Sequence, residues 1–177
     1  MIISLVGFRG SGKSSVAPLL ATRLGMKFVD VDQEIELRAQ QTISEIFANQ
    51  GEEYFRKLEA ETIHVFYQSD NLIVATGGGA ILNPQTQTLI QNSGPVVWLQ
   101  ADVQATVERI LKDDHDGSPR PALTDLDFQQ EVKTLLEQRE PIYKAVSNIQ
   151  IDTATQTPDQ ITDRIIQYLE VSHRGKQ

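Results

Sequence analysis

Residues 7–14 read Gly7-Phe8-Arg9-Gly10-Ser11-Gly12-Lys13-Ser14 and fit the pattern G-x-x-x-x-G-K-[ST] behind a short apolar run. These residue types suit a polyphosphate. Backbone N–H groups must wrap the phosphates one after another, and glycine removes the side chains that would block them. The segment Gly10, Ser11, Gly12, Lys13, Ser14 and Ser15 is therefore the candidate phosphate cradle, with the positive end of the following helix beneath it. Lys13 brings a point charge to the β- and γ-phosphates, and the Ser14 hydroxyl is a candidate ligand for Mg²⁺. Arg9 reads either as a solvated loop charge or as a ligand contact.

Two carboxylates follow in Phe28-Val29-Asp30-Val31-Asp32. In extended backbone Asp30 and Asp32 point the same way, and two like charges on one side ask for a shared cation or substrate. One acid can serve Mg²⁺ through water, and the other can orient an acceptor hydroxyl and take its proton. Asp32 also reads as the N-cap of a following helix.

Further along, Arg56 and Glu59 stand three residues apart, either as a surface ion pair or as a guanidinium fork braced for a carboxylate. Gly77-Gly78-Gly79 follows a strand directly, where backbone can lie against a ligand or simply turn. Arg120, between Pro119 and Pro121, sits in a polar loop that can close over nucleotide and deliver a cation, or is an exposed loop arginine. Arg139 ends a predicted helix, where a cation favours the dipole in any case. His64, His115 and His173 share no metal-binding spacing, His64 reads as partly buried, and Trp98, Phe47 and Phe55 read as core.

The elements that must position these groups alternate. Strands are predicted at Ile2–Val6, Phe28–Val31, Leu72–Ala75, Val96–Leu99 and Ile149–Ile151. Helices are predicted over Ser14–Leu24, Asp32–Gln40, from the capping box at Thr42, over Glu52–Gln68, Pro84–Asn92, Asp102–Lys112 and Phe128–Arg139, and from Thr157 to about Val171. Strand-helix alternation argues a parallel α/β sheet covered on both faces, with ligands beyond the carboxyl ends of the strands. The candidate residues fall at those ends.

The chain has 177 residues, which suits one domain spanning 1–177, with a core over 1–171, helices 32–68 flanking the acceptor, a lid at about 112–125 and a frayed tail at 172–177. A net charge of −8 disfavours nucleic acid as a partner. No apolar run approaches a membrane helix, and residues 1–16 lack the basic region of a secretory signal. The absence of cysteine rules out a disulfide framework and suits a reducing cytoplasm.

Taken together, GFRGSGKS, FVDVDQEIE, FRKLE, GGG, SPRPAL and REPIY, in that order and at that spacing, resemble the shikimate kinase family across nearly the whole chain, to about residue 170. The resemblance implies a three-layer α/β/α P-loop NTPase fold like that of nucleoside monophosphate kinases, with sheet order 2-3-1-4-5. It implies ATP and shikimate as substrates, one Mg²⁺ per site, a monomer, and transfer of the γ-phosphoryl to the shikimate 3-hydroxyl. Carried over, Lys13, Ser14 and Asp30 hold phosphates and metal, and Asp32 binds shikimate and is the base. Arg56 and Arg139 bind its carboxylate, with Glu59 bracing Arg56, and Gly78 and Gly79 line the acceptor pocket. Arg120 reaches phosphate and substrate, and Arg109 lies near the adenine. Gln156 stands where family members often carry a basic side chain packing on adenine, so base affinity can differ. Two other readings share these motifs: a related P-loop kinase acting on gluconate or a nucleoside monophosphate, and a nucleotide-binding module that phosphorylates nothing.

Overall fold

The computed structural model describes residues 1–114 and 128–174. Strands β1 (Ile2–Val6), β2 (Lys27–Asp30), β3 (Leu72–Ala75), β4 (Val96–Gln100) and β5 (Ile149–Asp152) all pair in parallel, in the order β2-β3-β1-β4-β5. Helices α1 (Lys13–Leu24), α2 (Val31–Ala39), α3 (Ile43–Phe66), α4 (Pro84–Ser93), α5 (Val103–Asp114), α6 (Phe128–Val146) and α7 (Pro158–Arg174) connect or follow them, with a 3-10 turn at Ala80–Leu82. This is the parallel α/β sheet expected from the alternation, in the strand order that the family resemblance implies. None of the described helices is long and apolar enough to cross a membrane.

The central strands are apolar on both faces, as strands covered by crossover helices must be. Ile2, Val6, Val74, Val96 and Trp98 pack on one side with α2, α3, α4 and α6. Ile3, Leu5, Ile73, Val97, Leu99 and Ile151 pack on the other with α1 and α7. One polar residue interrupts the first face, and it is satisfied there: the Ser4 hydroxyl meets the Tyr67 hydroxyl at 2.5 Å. Because every strand runs the same way, Gly7, Asp30 and Gly77 emerge at one rim of the sheet.

Local chemistry departs from the sequence expectation at several points. β2 stops at Asp30 rather than Val31, and Asp30, not Asp32, caps α2 by accepting from Asp32 N at 3.1 Å and Gln33 N at 3.4 Å. The pair is therefore not two strand residues on one face, since Asp32 lies in the first turn of α2. The capping box at Thr42 and Glu45 forms as read, and α3 breaks at Gly51 (φ 84°), so its two halves match the two predicted helices. α6 does not end at Arg139. It continues through Pro141 to Val146, because Tyr143 and Val146 are buried in the core beyond it. Arg139 is thus mid-helix and not a terminal cation. α7 runs to Arg174 rather than Val171, and His64 is exposed. His115, Arg120 and all but the first three residues of the predicted lid, Lys112 to Asp114, lie outside the described residues, as do residues 175–177 of the tail.

Candidate active site

Between β1 and α1 the loop turns on Gly10 (φ 74°) and Gly12 (φ 92°), a region that side chains rarely enter. α1 then starts with no side-chain cap and no acid in its first turn, which leaves its positive end available to an anion. Lys13 is largely buried and arches back over its own loop, its Nζ donating to Gly7 O at 2.8 Å, Phe8 O at 2.9 Å and Ser11 Oγ at 3.3 Å. The ammonium is therefore held at the loop's mouth by two carbonyls and a hydroxyl. Ser14 and Ser15 are exposed at the helix start, and the Ser14 hydroxyl donates to Asp30 Oδ2 at 2.6 Å. That bond joins the phosphate loop to the end of β2. It sets one hydroxyl and one carboxylate side by side, while the other Asp30 oxygen caps α2.

No cluster of three or more His, Cys, Asp or Glu that could hold a metal occurs among the described residues. A single hydroxyl beside a single carboxylate fits Mg²⁺, which keeps several waters and takes substrate phosphates as ligands rather than entering an all-protein cage.

Across the rim, Arg56 on α3 donates from Nη1 to Glu59 Oε2 at 2.8 Å and from Nε and Nη2 to Glu52 Oε1, both at 3.2 Å. The Glu59 side chain is only 4% exposed, so this pair is not the weak surface bridge the spacing alone allowed. The glycine triplet explains itself against the same residues. None of the three glycines has positive φ, so conformational freedom is not the reason for them. A Cβ on Gly77 would overlap Glu59 Oε1 and stand 3.0 Å from Asp32 Oδ1. A Cβ on Gly79 would run into the Arg56 guanidinium, and one on Gly78 would press on Arg9 N of the phosphate loop at 3.2 Å. The triplet is thus the floor on which Asp32, Glu59, Arg56 and the phosphate loop converge.

Arg139 comes from α6 on the opposite side. Its Nη1 donates to Gly78 O at 3.3 Å, and its guanidinium lies 5.2 Å from the Phe8 ring centre. Asp32, Arg56, Glu59, Gly78, Gly79 and Arg139 all line one cavity of about 240 Å³, together with Phe8 and Arg9 of the phosphate loop. Ile43, Phe47 and Phe55 wall it on one side and Phe128, Val132 and Leu135 on the other, so the two phenylalanines read as core serve both purposes. The cavity also contains Glu131, a largely buried carboxylate that sequence reasoning did not single out. Three cations and three carboxylates therefore share a small chamber whose remaining walls are mostly apolar.

Arg109 and Gln156 stand apart from that chamber. Arg109 on α5 donates from Nη1 to Gly10 O at 3.2 Å and Thr153 Oγ1 at 2.9 Å, and from Nη2 to Thr153 O at 2.5 Å. It ties the phosphate loop to the segment after β5. The Gln156 amide, in that same segment, donates back to Asp152 O at the end of β5. Both lie on the phosphate-loop side, away from Arg56 and Arg139. Thr153, which anchors Arg109 and bonds Gln100 O through its own hydroxyl at 3.1 Å, carried no signal in the sequence.

A family model described as shikimate kinase matches residues 9–170. A shikimate kinase from Persephonella marina is 43% identical over 164 residues, covering 93% of this chain and 96% of the relative. Among solved structures, a shikimate kinase from Acinetobacter baumannii in complex with shikimate superposes with a TM-score of 0.90 at 33% identity, covering 97% of this chain and 93% of the other. The shikimate kinase of Aquifex aeolicus matches with a TM-score of 0.82 at 32% identity, over 99% of both chains.

Proposed function

The chain belongs to the shikimate kinase family, and we propose that it transfers the γ-phosphoryl group of ATP to the 3-hydroxyl of shikimate, giving shikimate 3-phosphate on the route to chorismate and the aromatic amino acids. The observation that carries this reading is the single cavity in which Arg56, Arg139 and Asp32 meet Phe8 and Arg9 of the phosphate loop. A small acid with vicinal hydroxyls needs a guanidinium for its carboxylate and a carboxylate for its hydroxyls, within reach of the nucleotide's terminal phosphate.

The proposed roles rest on the positions of the described residues and, for Arg120, on the family resemblance. The loop amides of Gly10 to Ser15 and the Lys13 ammonium take the β- and γ-phosphates. Arg56, held by Glu59, and Arg139, held against Gly78 O and Phe8, receive the acceptor carboxylate. Asp32 orients the 3-hydroxyl. The hydroxyl oxygen bonds to the γ-phosphorus as the bond from that phosphorus to the β,γ-bridging oxygen breaks, ADP leaves, and Asp32 takes the hydroxyl proton. Arg120 is assigned to the developing phosphate charge. Arg109 and Gln156 are assigned to the adenine side.

Ser14 and Asp30 would hold Mg²⁺, which when bound draws off charge from the phosphate oxygens. The acidic net charge and cysteine-free composition support a cytoplasmic enzyme without a nucleic-acid or membrane partner, and we read it as a single-domain monomer.

A panel of acceptors tests the assignment. With purified protein, ATP and Mg²⁺, ADP release is expected with shikimate and not with gluconate or nucleoside monophosphates. Turnover of one of the other acceptors alone would overturn it.

A further inference from the structure

One backbone atom in the cavity carries two side chains. Gly78 O accepts from Arg139 Nη1 at 3.3 Å and also from the Tyr143 hydroxyl. Arg139 and Tyr143 are four residues apart on α6, so they lie on the same face of the helix and reach the same carbonyl from adjacent turns. The two donors use both lone pairs of that oxygen.

The Tyr143 ring is seated behind them. It is 1% exposed and stacks on Trp98 of β4, with centroids 5.6 Å apart and planes 20° from parallel. Burial lifts its phenol well above the ordinary value, so the hydroxyl stays a donor at any physiological pH. Trp98 and Tyr143 also line a second hollow of about 220 Å³ behind Phe8, so the ring stands between the sheet and the acceptor chamber.

We propose that Tyr143 is a positioning residue for acceptor binding: by clamping Gly78 O from a ring fixed on Trp98, it sets the place where Arg139 presents its guanidinium to the acceptor carboxylate. Without the hydroxyl, Gly78 O has a single weak donor at 3.3 Å, and both the glycine floor and Arg139 are free to shift relative to each other. The effect is expected to fall on the acceptor more than on ATP, because Gly78 O meets Arg139, whereas Lys13 donates to Gly7 O and Phe8 O, Ser14 to Asp30, and Arg109 to Gly10 O and Thr153. This inference rests on the functional reading above.

Steady-state kinetics of Tyr143→Phe, Arg139→Lys and the double variant test it. Tyr143→Phe is expected to raise the shikimate KM about fivefold to tenfold, the equivalent of one lost hydrogen bond, with the ATP KM within about twofold. A purely structural role would move the melting temperature without that split. In the Arg139→Lys background the tyrosine change is expected to add little, since its effect passes through the guanidinium.

Should Tyr143→Phe fail to fold, Trp98→Leu, which removes the stack and keeps the hydroxyl, is expected to give the same split. An unchanged shikimate KM, a parallel rise in both KM values, or full additivity in the double variant overturns the proposal. A wild-type protein that turns over no shikimate overturns the functional reading and this inference with it, whereas an active wild type with an indifferent variant overturns this inference alone.

Discussion

The Arg56 guanidinium fills the space that a side chain on Gly79 would need: a Cβ there would stand 2.6 Å from both Cζ and Nη2 of Arg56. Arg56 is in turn fixed by Glu59, so it has little room to yield. Gly79→Ala is expected to displace the guanidinium and raise the shikimate KM at least about tenfold, ~1.4 kcal/mol, with ATP affinity held. Isothermal titration with each ligand checks this, and an alanine variant that binds shikimate normally would show that Arg56 does not meet the acceptor in this pose.

Asp32 lies in the first turn of α2, beside the glycine floor and inside the acceptor cavity. Its oxygens are not required to cap the helix, because Asp30 does that. Asp32→Asn is therefore expected to lower kcat by at least ~10², the lower range for loss of a general base, without unfolding α2 or releasing ATP. Single-turnover kinetics with saturating substrates measure it, and wild-type turnover would remove Asp32 from the proton transfer.

Truncating Arg56 removes the guanidinium that Glu59 holds beside the cavity. Arg56→Ala is expected to weaken acceptor binding by ~2–5 kcal/mol, as for one member of a desolvated charge pair. An unchanged shikimate KM would mean that the pair serves α3 alone.

Much of this site was legible because its parts are local in sequence. The phosphate loop, the two aspartates, Arg56 with Glu59 and the glycine triplet each sit within a few residues, and parallel topology brings them to one rim. What was not legible depends on distant partners. Asp30 and not Asp32 became the cap, because where β2 ends is set by its pairing with β3. α6 passes Pro141 because the core beyond it takes Tyr143 and Val146. The glycine triplet reads in the sequence as either a ligand-facing backbone or a turn, and neither reading supplies the reason for Gly77, which is the closeness of Glu59 and Asp32. Tyr143 acts on a carbonyl 65 residues away, a relationship that no local pattern encodes.

The buried phenol of Tyr143 also predicts an alkaline limit. Burial raises it well above its ordinary value of 10.0, and the Arg139 charge pulls it only partly back. On unfolding it returns to that ordinary value. As pH rises past about 10 the unfolded chain therefore loses this proton first while the native chain keeps it, so stability is complete below that pH and declines above it. Tyr67, buried against Ser4, adds to the decline. Denaturant titrations between about pH 8 and 11 should show a shallower alkaline loss in Tyr143→Phe than in the wild type. Equal slopes would contradict the burial argument.

The central claim is that the phosphate loop and the acid-binding arginines serve one transfer, from ATP to a defined hydroxyl. Phosphorus–proton correlation NMR of the product made from ATP, Mg²⁺ and shikimate tests it most directly. The account predicts a single new phosphate ester, coupled to the proton on carbon 3 and formed in step with ADP. Phosphate on another carbon, or ADP released without any ester, would contradict it.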